Sequence, residues 1–342
     1  MLTKVARPRF GATHGESPCT LCGSTDVIPL ADRCRYGEPL RTVLCAKCGL
    51  GRRDPLPGER ELSDYYHDGY RIELGKGRRP SKSRLWRISK GGCERALDLL
   101  KRVPPGSSSL DVGCGAGELV FMLQAAGLRA RGFDPDSHYM QWAQSLMGTI
   151  VEKRRIEEAD FEPCIDLVTI YHALEHMRDP HSVLRRSAGW LREGGLLVVE
   201  VPNLESVVQA PGHQYQKAHL HYFNQHTLTV MASYSGLEFE DGGVYNYGEN
   251  LRCYFRKNSL AKHLEKISTD NVKRVFDILR QHSSTLAHHG SVHPYRRIWN
   301  RLSRTVLENV RSLGRSDDSI LGVHATQLQR KLKLGSARNP SA

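Results

Sequence analysis

The sequence predicts an α/β fold: a doubly wound, mostly parallel sheet with a small cysteine ribbon before it and a basic helical extension after it. Three observations carry that prediction. Apolar runs ending at Asp111, Asp134, Tyr171 and Val201 alternate with helical patterns at 118–126, 137–147 and 181–191. Such alternation pairs strands in parallel, covers both sheet faces with helices and opens a ligand crevice at the carboxyl ends of the strands. The first of these strands runs into Gly113, Gly115 and Gly117 before a helix. Finally, two Cys-x-x-Cys pairs lie close together near the N-terminus.

Taken in order, the first element is the ribbon, at 16–58. Cys19-Thr20-Leu21-Cys22-Gly23 and Cys45-Ala46-Lys47-Cys48-Gly49 are two copies of one knuckle, with 22 residues between Cys22 and Cys45. Four thiolates so spaced suit one tetrahedral zinc ion, with Val27–Leu30 and Leu40–Leu44 as short strands between them. The competing reading, a redox dithiol, would place a single Cys-x-x-Cys beside a βαβ unit. Cys34 has no partner and reads as a small packed residue.

Residues 59–106 form a connector. Tyr65, Tyr66 and Tyr70 precede a Gly-rich and basic run, 75–84, that lacks apolar periodicity and is expected to be a loop, with gating of the crevice as one use for it. A helix is expected over 85–101, burying Leu85, Ile88, Ala96, Leu97 and Leu100 and ending at Pro104-Pro105-Gly106.

The core spans 107–257. The turn Asp111-Val112-Gly113-Cys114-Gly115-Ala116-Gly117 bends tightly, lets a ligand approach where a Cβ would block it, and hands the ligand to a helix start. A dinucleotide fits the glycines alone, but its fingerprint is G-x-G-x-x-G and this turn is Asp-x-Gly-x-Gly-x-Gly. At Asp134 a second strand ends on a carboxylate able to take both ribose hydroxyls of a nucleoside. The next strand leads into Tyr171-His172-Ala173-Leu174-Glu175-His176, and Leu196–Val201 is a further apolar strand. A helix at 227–235 and strands at 237–244 and 251–256 complete the pattern.

This order of elements resembles the class I S-adenosylmethionine (SAM) dependent methyltransferases over residues 84–257. The resemblance implies a Rossmann-like seven-stranded sheet with an antiparallel edge, and SAM as cofactor. It further implies that Asp111, Gly113, Cys114, Gly115 and Gly117 face the methionine part of SAM. Asp134 takes the ribose, Pro135 and Ile156 flank the adenine, and Tyr171 closes the site. A sulfonium methyl is already electrophilic, so catalysis asks mainly for alignment and removal of one proton. Candidate bases are His172, His176 and His221, the last in the cluster His219-Leu220-His221-Tyr222-Phe223. Relatives acting on quinone precursors hold Mg²⁺ in the first of these turns. His172 stands where their first acidic ligand falls, and hard ions prefer oxygen, so a metal-independent transfer is expected.

The pairing of a knuckle module with this core also resembles methyltransferases of sugar and surface-polysaccharide biosynthesis. That resemblance implies a sugar, glycan or small metabolite as acceptor, methylated at a hydroxyl or carbon. An RNA methyltransferase and a non-catalytic SAM-binding scaffold are the alternatives.

The last region, 258–342, is basic. From Arg256 onward there are 17 Lys and Arg against 6 Asp and Glu, so this part holds a net +11 of the chain's +12. Such a charge suits an anionic partner (RNA, acidic glycan or membrane surface) or a solvated helical face. Two amphipathic helices are expected, one through Val272, Val275, Phe276 and Leu279, the other through Ile298, Leu302, Val306, Val310 and Leu313 flanked by Arg297, Arg301 and Arg304. Docking on the core, on a partner subunit or on a membrane would each use such a stripe. Residues 335–342 are expected to be disordered. The sequence shows no export signal and no membrane-spanning run, and nine cysteines of this spacing suit a reducing cytoplasm.

Overall fold

A computed structural model describes residues 13–62, 77–259, 264–282, 288, 290 and 293–338. The chain forms two compact units: residues 1–61, 171–189 and 197–299 in one, residues 62–170, 190–196 and 300–342 in the other.

The predicted sheet is present and has seven strands. They are β5 (Ser108–Val112), β6 (Arg129–Asp134), β7 (Val151–Lys153), β8 (Ile165–Tyr171), β9 (Leu191–Pro202), β11 (Leu237–Tyr245) and β12 (Asn250–Lys257), in the order β11-β12-β9-β8-β5-β6-β7. Strand β5 pairs in parallel with both β6 and β8, setting Asp111 opposite Gly132 and Thr169. At the other end β11 and β12 form an antiparallel hairpin. The run Leu196-Leu197-Val198-Val199 is fully buried, as continuous apolar strands are when helices cover both faces.

In the unit that carries the glycine turn, α1 (Lys82–Leu99) starts where Ser81 Oγ accepts from the Arg84 N–H, and it buries Leu85, Trp86, Ala96 and Leu99. It begins inside the segment expected to be a loop; residues 75 and 76, with Tyr65, Tyr66 and Tyr70, lie outside the described residues. Helix α2 (Glu118–Ala125) crosses α1 at Gly92, where a Cβ would stand 3.1 Å from the Glu118 carbonyl. Helices α3 (Ser137–Met147) and α4 (Pro180–Trp190) match their predicted spans within a residue.

The C-terminal extension departs from expectation. Beyond α7 (His293–Ser312), a helix that was not foreseen, α8 (Asp317–Arg338), packs on α1 and α2 and buries Ile320, Leu321, Ala325 and Leu328. Trp142 donates to Asp317 (3.0 Å) and Gln329 donates to the Ala125 carbonyl (3.0 Å). Residues 335–338, expected to be disordered, continue this helix.

The other unit holds a five-stranded antiparallel sheet, β1-β2-β3-β4-β10, from β1 (Thr13–His14), β2 (Asp26–Arg33), β3 (Pro39–Cys45), β4 (Gly51–Arg53) and β10 (His221–Tyr222). Helix α5 (Gln225–Ser233) follows β10, and α6 (Thr269–Gln281) packs on the ribbon. Val272, Val275, Phe276 and Leu279 of α6 share one buried cluster with Ile28, Leu30, Leu40 and Leu44. Asn271 pins the contact: its Nδ2 donates to the Cys48 carbonyl (2.9 Å), and its Oδ1 accepts from Asn224 Nδ2 (2.7 Å). The ribbon expected at 16–58 is thus completed by β10 and α6, far along the chain.

Truncating Phe276 removes a fully enclosed ring from this cluster. Phe276→Ala is expected to cost about 3–5 kcal/mol, read as a lowered unfolding midpoint with faster amide exchange in β2 and β3; unchanged exchange there would refute the packing role.

Candidate active site

The glycine turn is held by strand β6 rather than by its own side chains. Gly113 and Cys114 both donate to the Phe133 carbonyl, at 2.9 and 3.0 Å, and Gly115 donates to Asp134 Oδ2 at 3.0 Å. All three glycines have left-handed φ, 72°, 58° and 72° for Gly113, Gly115 and Gly117, which side chains rarely adopt. A Cβ on Gly115 would meet nothing within 4 Å, so this backbone borders open space, whereas one on Gly117 would strike Met147.

Asp134 is buried, and its Oδ1 accepts from the Asp136 N–H at 2.9 Å. Asp111 lies deeper: Thr169 donates to it at 2.7 Å, and burial pushes its carboxyl up to about 7 despite that bond. Cys114 and Ile156 are buried, Ile156 in a single tight turn, and Pro135 is exposed.

In the other unit, a network of buried charges follows the last residue of β8. His172 has a left-handed φ of 53° and its N–H donates to the Glu200 carbonyl at 2.8 Å. Its Nε2 lies 3.1 Å from Glu200 Oε1, while Nδ1 is 3.6 Å from Glu175 Oε1, beyond a good hydrogen bond. The side chain keeps 36% of its surface open. Glu200 is in turn clamped by Arg252, whose Nε and Nη2 reach Oε2 at 2.7 and 2.6 Å. Arg252 stacks against the rings of Tyr245 and Tyr171, at 4.4 and 5.5 Å.

These neighbours set the protonation states. Although burial alone would lower it, bonding and charge from Glu175 and Glu200 lift His172 to about 9. Glu175 is driven down to about 2 by His172 and His176 against the opposing effect of burial. His176 Nδ1 faces the Ala218 carbonyl at 2.8 Å, and the ring meets His219 edge-on at 4.9 Å. Glu175, His176 and His219 bring three potential ligand atoms within 4.8 Å of one another, a set not singled out from the sequence.

His221 departs from its expected role. It lies in β10, fully buried, with Nε2 at 3.0 Å from Thr20 Oγ1 of the first knuckle, and burial lowers it to about 3. A neutral imidazole enclosed in the ribbon sheet packs and positions; it meets no solvent-facing substrate.

The four knuckle cysteines converge. Cys19 and Cys48 sulfurs are 3.6 Å apart, those of Cys22 and Cys45 3.4 Å, and all four lie within 4.8 Å. A tetrahedral ion at about 2.3 Å from each sulfur requires sulfur separations of about 3.8 Å. Cys34, buried beside Glu38, stands apart from them.

Comparison with known proteins bears on the core. Residues 85–241 match the family model of a methyltransferase domain. This segment therefore carries the methyltransferase fold that the order of its elements implies. Similar curated relatives include ubiquinone biosynthesis O-methyltransferases from Bradyrhizobium sp. (strain ORS 278), 33% identical over 29% of this chain and 41% of that protein, and Marinobacter nauticus, 35% identical over 29% and 45%. The chain thus spans less than half the length of these two. Among solved structures, magnesium protoporphyrin IX methyltransferase from Synechocystis PCC 6803 with bound SAH covers 59% of this chain and all of its own, at 15% identity and a TM-score of 0.46. A SAM-dependent methyltransferase from Mesorhizobium loti covers 47% and 96%, at 16% identity and a TM-score of 0.41.

Glu200 and Arg252 were not foreseen as site residues. Their signal was available: each is the one charge inside an otherwise apolar strand segment, Leu196–Val201 and Leu251–Phe255.

The network predicts a pH dependence of stability. Glu175, lowered from 4.5 to about 2, contributes above pH 4.5, and that contribution is lost as pH falls through 2. His172, raised from 6.5 to about 9, contributes below pH 6.5 and loses it as pH rises through 9. A thermal-midpoint profile is expected to decline between pH 6.5 and 9, and His172→Gln is expected to flatten that limb; an unchanged limb would show that His172 does not titrate there.

Proposed function

We propose that this protein transfers the methyl group of SAM to a hydroxyl of a small-molecule acceptor, with His172 as the general base. The observation that carries the reading is the chain Arg252–Glu200–His172 at the end of β8. Glu200 accepts from Nε2, and Nδ1, 3.6 Å from Glu175 Oε1, is the ring nitrogen that would take a proton once the imidazole is neutral. SAM supplies a methyl activated by its sulfonium. The Gly113–Gly117 turn would give it close backbone approach, Asp134 would offer its carboxylate to the ribose hydroxyls, and Asp111 would present a buried carboxyl to the methionine end. Methylation of the acceptor oxygen would release the hydroxyl proton, and His172 would take it.

The strength of the base favours an acidic hydroxyl. A conjugate acid near 9 matches a phenol-like proton, at about 10, far better than that of an alcohol. The O-methyltransferase names of the relatives support transfer to oxygen. A sugar or glycan hydroxyl, the acceptor implied by the sequence resemblance, belongs to the same reaction and is separated by the acceptor screen.

We further propose that Cys19, Cys22, Cys45 and Cys48 hold a structural zinc ion, supported by sulfur separations close to a tetrahedral edge.

Titration calorimetry is expected to show SAM binding to the wild type and a loss of about 10- to 100-fold in Asp134→Ala, the worth of a charged hydrogen bond. Absence of binding to folded protein would sink the methyltransferase mechanism. With phenolic, sugar and RNA acceptors screened in parallel, His172→Gln is expected to lower kcat by about 10²- to 10⁴-fold and to remove the limb of the kcat profile that rises toward pH 9. A variant retaining both rate and limb would exclude His172 as the base. Elemental analysis is expected to find about one zinc per chain, lost in Cys45→Ser.

A further inference from the structure

The hairpin β11–β12 carries two adjacent glycines, and packing explains only one of them. A Cβ on Gly242 would stand 2.9 Å from the Phe239 ring and 3.0 Å from the Arg252 carbonyl, so that position excludes a side chain. One on Gly243 would meet no described atom within 4 Å, and its φ lies outside the left-handed region. Neither backbone conformation nor crowding among the described residues calls for glycine at 243. Glycine inside a strand weakens it, and it recurs where a ligand approaches the backbone closely.

The open position lies on the face that leads to the candidate base. In the antiparallel register Gly243 stands opposite Arg252, and Tyr245 opposite Asn250. Opposed residues, and residues two apart along a strand, share a face, so these four share one. Across that face Arg252 reaches Glu200 at 2.6 Å, and Glu200 in turn reaches His172 Nε2 at 3.1 Å. Tyr245 rests its ring on the Arg252 guanidinium, 4.4 Å from the ring centre, and is 37% exposed. A bare stretch of backbone thus lies beside a partly exposed aromatic ring and next to an ion pair that is neutral as a whole.

We infer that the backbone at Gly243 is the floor, and the Tyr245 ring the wall, of a seat for the aromatic ring of an uncharged phenolic acceptor. The inference rests on the proposed transfer in taking His172 as the group that meets the acceptor hydroxyl. Residues two apart on a strand are separated by about 7 Å. A ring laid over Gly243 therefore comes within the range of about 4.5–7 Å at which ring centres stack, with Tyr245 as the partner. An anionic acceptor gains little here, because Glu200 already neutralises Arg252 through two bonds. A sugar would bring hydroxyls on every side to a floor of glycine and a wall of ring carbon, and most of them would lose water without gaining a partner.

The test is binding of catechol and of methyl glucoside to the full-length protein, followed by ligand-detected NMR, with SAM affinity measured alongside by calorimetry. Catechol is expected to bind in preference to methyl glucoside. Gly243→Val is expected to weaken catechol binding by at least about tenfold. Tyr245→Ala is expected to weaken it by about 2- to 10-fold, with Tyr245→Phe close to the wild type. Valine suits a strand with open space beside it, so circular dichroism and SAM affinity of Gly243→Val are expected to stay at wild-type values. Undiminished catechol binding by that variant, equal binding of the two probes, or no catechol binding by the folded wild type would overturn the inference. The expected losses of binding without methyl transfer to any phenol would keep the seat and tell against the proposed transfer; transfer to a phenol undiminished by Gly243→Val would do the reverse.

Discussion

The parallel pairing of β5 with β6 on one side and β8 on the other determines where the candidate donor contacts stand. It sets Asp111 level with Thr169, which donates to it, and Val112 level with Phe133, whose carbonyl receives both Gly113 and Cys114. The turn can lie over β6 only because position 132 has no side chain. A Cβ there would come within 2.8 Å of both Cys114 and Val120. Gly132 thus supports the site without reaching a ligand, by letting the turn and the first residues of α2 settle on the strand. Asp134, two residues on, closes the arrangement by accepting from Gly115. Glycine in the strand and glycine in the turn answer different needs, close approach in one case and left-handed φ in the other.

Beyond β8 the energetics change sign. Glu175 and Glu200 are almost wholly buried, and Glu175 Oε2 has no hydrogen-bond partner among the described residues. Well-packed apolar side chains would usually hold such a fold as well or better. Buried charge retained at the open end of a parallel strand, with a histidine in left-handed backbone among it, is the pattern of a site that spends stability on chemistry. The two carboxylates divide the work. Glu200, held by Arg252, is positioned to orient His172, whereas Glu175 supplies charge shared by His172 and His176.

Where a signal was local, the sequence was readable. The alternation of strand and helix, the Asp-x-Gly-x-Gly-x-Gly turn, Asp134 and the paired knuckles each depend on neighbours in the chain, and the structure has them where the spacing placed them. Contacts between distant segments were not readable. Nothing near Cys48 announces that Asn271 will donate to its carbonyl, and nothing near Glu200 announces Arg252. His221 shows the same limit: a histidine in a cluster of histidines reads as a candidate base, and only the pairing of β10 with β4 reveals an imidazole sealed against Thr20. For α8 the missed signal was local. Ile320, Leu321, Ala325 and Leu328 recur at helical spacing, masked by the basic and polar residues between them.

The ribbon's place in the chemistry follows from its backbone connections. Strand β4 leaves the second knuckle and, at Arg53, donates to the Leu220 carbonyl (2.9 Å); the Leu220 N–H then donates to the Glu175 carbonyl (2.8 Å). A single residue therefore links the cysteine ribbon to the turn that carries Glu175 and His176. On the first knuckle, Thr20 holds His221, the residue next to Leu220. Both knuckles grip the segment 219–222 from the ribbon side, and that segment grips Glu175 from the other. Four cysteines drawn around one ion would stiffen the strands that make this grip, and the ribbon would then buttress the turn that carries Glu175 and His176. A module whose fifth strand and covering helix come from residues 221–222 and 269–281 has no complete core of its own, and its stability is inseparable from that of the turn it supports.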